Sequence, residues 1–89
     1  MDGNVFLELC KDEVARLFNM HNSINNRKIT KDEIFVVWSC KTLQNNKALV
    51  STNINDGLYY ECTYNGDKKE LYIDTYRKYD NDKINVQDS

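Results

Sequence analysis

The sequence predicts an α+β fold in which an N-terminal helix packs on a four-stranded antiparallel meander sheet. Three observations carry this. Apolar residues near the start recur at helical spacing, the following runs are rich in β-branched and aromatic residues, and clusters of Asn, Asp and Gly separate those runs. With 89 residues the chain is expected to form one unit. A single α+β domain is read over 1–79 and a flexible polar tail over 80–89.

Residues 4–21 supply the helix, because Phe6, Cys10, Val14, Leu17 and His21 follow one another at steps of four and three. Leu7 and Phe18 flank that stripe on one side and Leu9 and Met20 on the other, while Glu8, Asp12, Ala15, Arg16 and Asn19 fall opposite. A polar connector follows over His21 to Lys28, where Asn22, Asn25 and Asn26 suit turn conformations that end a helix. The run from Ile34 to Leu43 is read as the first strand. Both of its faces are apolar at its start, as expected of a central strand covered on one side. Gln44-Asn45-Asn46 then forms a polar turn and Lys47 to Thr52 the second strand, which sets Leu43 near Lys47.

Asp56-Gly57 closes a second turn cluster, since glycine takes positive φ without steric cost. The third strand runs from Leu58 to Tyr64. After Asn65-Gly66-Asp67 the fourth runs from Glu70 to Tyr79, with Leu71, Ile73 and Thr75 alternating against Tyr72, Asp74 and Tyr76. Beyond it only Ile84 and Val86 are apolar, too few to anchor the end of the chain.

Bulk properties remove several function classes. The apolar residues are too interrupted to span a bilayer, and a formal net charge of −2 lacks the basic excess of a dedicated duplex nucleic-acid binder. Met1-Asp2-Gly3-Asn4 has no basic start of a secretory signal, which points to the cytoplasm. Cys10, Cys40 and Cys62 are odd in number and widely spaced, so they are expected to be reduced core thiols and neither a disulfide framework nor a zinc site. A chain of this size buries roughly 60 to 65% of its unfolded surface, a thin margin that a homodimer or a partner would widen.

Candidate chemistry is sparse. His21 is the single histidine, and along a continuous helix it lies roughly 16 Å from Cys10, which removes a Cys-His dyad. Glu61 and Asp74 sit mid-strand, where the plain expectation is a solvent face with cross-strand Lys or Arg partners. No catalytic residue, metal ligand set or cofactor motif stands out. The binding candidates are Trp38, Lys41, Gln44, Asn45, Asn46 and Lys47, which place an aromatic, two cations and three amides around one hairpin. Such a set holds a phosphate or the edge of a base. Its bland alternative is a solvated turn beside a core tryptophan. Tyr59 and Tyr60 join the candidates because all six tyrosines fall in the last two strands, and tyrosine combines contact area with a polar tip.

Three segments carry a resemblance: Val37-Trp38-Ser39-Cys40-Lys41-Thr42-Leu43-Gln44-Asn45-Asn46-Lys47-Ala48-Leu49, Asp56-Gly57-Leu58-Tyr59-Tyr60-Glu61, and Thr63 through Asp74. Together they resemble small proteins of unknown function encoded by phages and prophages of Gram-positive bacteria, with a C-K-T-L-Q-N-N-K-A-L core and a T-Y-N-G-D-K-x-E-L-Y segment. The resemblance implies an accessory protein in the cytoplasm of the bacterial host that binds a host component, including components of anti-phage defence. The leading expectation is therefore a non-enzymatic binder that blocks a host protein or sequesters a small nucleotide-type ligand. Two alternatives stand beside it. One is a small metal-dependent nucleotide hydrolase using Glu61 or Asp74, and the other is a phage structural or replication accessory protein.

Overall fold

The computed structural model describes residues 1–21 and 28–87 of the chain. Helix α1 (Gly3–His21) is followed by a 3-10 turn at Lys31–Glu33 and by strands β1 (Ile34–Thr42), β2 (Asn45–Thr52), β3 (Leu58–Asn65) and β4 (Glu70–Arg77). The strands lie in chain order β1-β2-β3-β4, each antiparallel to its neighbour. The expected architecture, one helix on a four-stranded antiparallel meander, is the one observed. The connector expected at Asn22, Asn25 and Asn26 lies outside the described residues. Among the described residues no helix is long and apolar enough to cross a membrane.

The helix is more rotated than its spacing predicts. Phe6, Cys10, Val14 and Phe18 are buried as expected, but so is Ala15, whereas His21 and Met20 are exposed. Asn19, assigned to the polar face, is half-buried. The cause is the segment that α1 packs against. Asn19 Nδ2 donates to the Ile29 carbonyl at 2.9 Å, and the Ile29 amide donates to Asn19 Oδ1 at 2.8 Å. One carboxamide thus satisfies both backbone groups of a buried residue as a neighbouring strand would, and draws its own helical face inward. The 3-10 turn that follows is held by the Glu33 amide donating to the Thr30 carbonyl at 3.0 Å and the Thr30 amide donating to Glu33 Oε2 at 3.1 Å.

Ile29, Ile34, Ala48, Val50, Tyr60 and Cys62 complete the core beneath α1. The Cys10 thiol meets Cys62 there, and that hydrogen bond together with burial pushes the Cys10 pKa far up. All three cysteines are free, but Cys40 is exposed and is not a core thiol.

Strand boundaries and one strand position differ from the sequence-based expectation. The β1–β2 loop is the two residues Leu43 and Gln44, so Asn45 and Asn46 belong to the ladder and Lys47 pairs with Cys40, not with Leu43. Two-residue loops match the twist of antiparallel strands, and Leu43 enters the left-handed region (φ 57°) to make one. The first strand lies at the edge of the sheet, not its centre, as a meander in chain order requires. β4 ends at Arg77, leaving Tyr79 outside it and almost fully exposed. The turn at Asp56-Gly57 is as expected, with Gly57 at φ 72° and the Leu58 amide donating to Asp56 Oδ1 at 3.0 Å.

Two outcomes follow from this packing. Asn19→Ala strands the Ile29 amide and carbonyl in a buried position and should cost about 2 kcal/mol in urea unfolding. Thiol titration of the native chain should show one rapidly reacting group, Cys40, and all three only in denaturant; a second fast thiol would contradict the Cys10–Cys62 packing.

Candidate functional site

Successive residues of a strand point to opposite faces, so the helix-covered side of the sheet defines an outer side by register. On β2 and β3 the core takes Ala48, Val50, Tyr60 and Cys62. The outer side accordingly takes Lys47, Leu49, Tyr59, Glu61 and Thr63, and on β4 it takes Tyr72, Asp74 and Tyr76. No described element covers it.

β1 reaches that face through a bulge. Val36 pairs with Val50 on the helix side, but the next pair is Trp38 with Leu49, leaving Val37 as an extra residue. Without it, Trp38 and Cys40 would share the helix side with Val36. With it, both turn outward and join Phe35, which pairs with Ser51. The tryptophan is therefore a surface residue, not the core residue of the bland reading. Phe35, Trp38, Tyr72 and Tyr76 keep between 42% and 52% of their surface open. Cross-strand pairing sets Tyr59 opposite Tyr76 and Thr63 opposite Tyr72, so rings occupy both flanks of the face with Leu49 between.

The centre is acidic. Glu61 lies directly opposite Asp74 on the neighbouring strand, a like-charge placement that is unfavourable by itself. Lys47 Nζ approaches Glu61 Oε2 at 3.7 Å and partly offsets it, with both groups solvated enough that the pair contributes at most about 1 kcal/mol. At the rim, the Glu70 carboxylate accepts from the Tyr72 phenol and raises its pKa. Among the described residues no group of three or more His, Cys, Asp and Glu side chains is placed to hold a metal ion. The His21 side chain is exposed at the end of the uninterrupted α1, and Cys10 is buried in its middle.

The residues singled out from sequence do not form one cluster. Trp38, Lys47 and Tyr59 are on the outer face. Lys41 pairs with Asn46 and projects from the helix side, so the two lysines leave opposite sides of the sheet and do not converge. Gln44 is at the exposed hairpin tip. Asn45 Oδ1 accepts from the Gly66 amide at 3.2 Å, tying the first hairpin tip to the third. A Cβ on Gly66 would collide with the Gln44 carbonyl, which is why glycine stands at that contact. Asn46 is buried, and its Oδ1 has no hydrogen-bond partner. Tyr60 is buried in the core, where desolvation raises its phenol pKa, and on the helix side it lines a cavity of about 250 Å³ with Leu17, Phe18, His21, Leu58 and Thr75.

Beside the tip, Cys40, Thr42, Asn45, Asn46, Lys47 and Thr63 line a shallow cleft of about 240 Å³. That lies below the roughly 300 to 1,000 Å³ of ordinary small-molecule sites. The outer face is thus broad and shallow, a shape suited to another surface. Sequence reasoning left out Phe35, Tyr72 and Tyr76. For the two tyrosines the alternation with Leu71, Ile73 and Thr75 was the available signal, whereas Phe35 is masked by a run that is apolar at every position.

No curated protein and no solved structure matches the chain. A family model does match, over residues 7–86, from the first turns of α1 to past the end of the sheet. The chain belongs to the family of unknown function DUF6275.

Proposed function

We propose that this protein is a non-enzymatic binding module that docks a host protein against the outer face of its sheet. The supporting observation is that face itself, which carries Phe35, Trp38, Tyr72 and Tyr76 half-open with no described element over them. Rings of this kind bury large areas while losing few rotamers, and they are the residue types that concentrate binding energy at protein interfaces. Four strands, three of eight residues and one of nine, present about 19 by 26 Å, or about 500 Å² per partner, and two such surfaces reach the roughly 1,000 Å² of a specific complex. The acidic centre around Glu61 and Asp74 selects a partner that brings an Arg or Lys into an apolar surround.

The resemblance to phage and prophage proteins supplies the setting: an accessory protein in the cytoplasm of a bacterial host, acting in counter-defence. Sequestration of a nucleotide-type ligand draws less support. It asks Lys41 and Lys47 to converge on a phosphate, and they project from opposite sides of the sheet.

Trp38 is the single tryptophan and reports directly on the site. In the free protein its emission should be red-shifted and readily quenched by acrylamide. Saturation with the host protein captured on the immobilised chain should shift it to the blue. Trp38→Ala with Tyr76→Ala should weaken that complex by about 30-fold or more, as expected for losing a ring worth about 2 kcal/mol, while leaving the circular-dichroism spectrum intact. A complex that survives this double variant but is lost with Lys41→Ala and Gln44→Ala would move the site to the hairpin tip and defeat the proposal.

A further inference from the structure

A four-stranded sheet is about 19 Å wide and a helix about 10 Å, so α1 leaves part of its own side of the sheet uncovered. It packs over β1, β2 and β3. On β4, Leu71 and Ile73 face that side and are only partly covered. A groove runs beside them, bounded by Leu9, Glu13, Arg16 and Leu17 of the helix. β4 is also a sheet edge. Its pairing with β3 is unbroken from Arg77 opposite Leu58 to Glu70 opposite Asn65, whereas the β1 edge carries the bulge at Val37. Bulges discourage pairing with further strands and regular edges invite it.

Past Arg77 the chain runs on without reversing. The Lys78 amide donates to the Gly57 carbonyl at 2.7 Å and prolongs the line of β4 by one residue. Residues 78–87 then contain no turn and no bend. Within them Ile84 and Val86 are 80% and 82% exposed and alternate with Lys83, Asn85 and Gln87, the two-residue period of a half-buried strand. The family match extends to residue 86 and so takes in both Ile84 and Val86. The radius of gyration is 15.2 Å, against about 12 Å for a compact chain of this length, as an arm reaching away from the domain produces.

We propose that residues 83–87 of one copy pair with the β4 edge of a second copy as a fifth, antiparallel strand, and that the exchange is reciprocal about a two-fold axis. In that position Ile84 and Val86 lie on the helix side and close the groove over Leu71 and Ile73. Lys83 falls on the other side, toward Asp74. The chain's own β4 is not the acceptor, because pairing with it requires a reversal just after Arg77 and the chain continues straight there. Ten extended residues span about 33 Å, enough to reach a neighbouring domain. The exchange satisfies an isologous interface and removes the one unprotected edge in each subunit. It uses the β4 edge and the helix side, touches the outer face only through Lys83 beside Asp74, and leaves Phe35 and Trp38 at the far β1 flank free, so the oligomeric state is read separately from host-protein binding.

Sedimentation equilibrium of the full chain should give the mass of two chains, twice the 10.5 kDa of one. The full-length variant Ile84→Asp, Val86→Asp should sediment as one chain with an unchanged circular-dichroism spectrum, since both residues are exposed in the single subunit. Hydrogen exchange should find the amides of 83–87 protected in the dimer and unprotected in the variant. A wild-type chain that stays monomeric up to near-millimolar concentration would overturn the proposal. So would a variant that remains dimeric, unprotected amides at 83–87 in a dimer, or loss of the dimer on Trp38→Ala, which would place the contact on the outer face.

Discussion

A helix has one apolar stripe and a sheet has two faces, and this chain has one long helix for four strands. Everything that can bind follows from that shortage. Phe6, Cys10, Val14, Ala15 and Phe18 close the core over β2 and its neighbours, with Asn19 joining the helix end to Ile29 by two hydrogen bonds. Among the described residues no second layer covers what the helix does not reach: most of the outer face and the β4 flank of the inner one. Antiparallel sheets tolerate one open face, but the usual occupants are polar, and here rings flank the charged centre of Lys47, Glu61 and Asp74.

The bulge at Val37 decides which rings. It changes the side of every residue after it on β1, taking Trp38 and Cys40 out of the core and Ser39 and Lys41 away from the outer face. Lys41 and Lys47, close in sequence around one tight loop, are thereby separated by the thickness of the sheet. A binding site that looks contiguous along the chain is divided by one extra residue in the strand.

The same residue marks where legibility ends. Helix, strands and meander order were readable because periods of four and of two, and the Asp56-Gly57 turn, are local signals that the tertiary structure does not contradict. A bulge has no such signal in Ile34 through Trp38, where every side chain is apolar and either register looks equally good. Leu43 is similarly opaque: nothing marks a leucine for left-handed backbone, whereas the asparagines that follow carry the local turn signal, and a loop on them shifts the strand register. Helical spacing alone does not mark Ala15 and Asn19 as inward, because a helix's inward face depends on what lies beneath it, and the partner of Asn19 there is Ile29, ten residues further along the chain. Of the candidate site, Trp38, Lys47 and Tyr59 share the outer face. Tyr60 differs from Tyr59 only by the alternation of a strand, which places it beneath α1.

The paired bonds between Asn19 and Ile29 also bear on how the chain tolerates change. They fasten the end of the rod to the start of the ribbon at one point, independent of whatever sequence joins them. Extra residues inserted between those two anchors would lengthen a closed loop, and the entropy of closing a loop rises only logarithmically with its length. A change in the length of chain between these two anchors is therefore expected to cost the junction itself little.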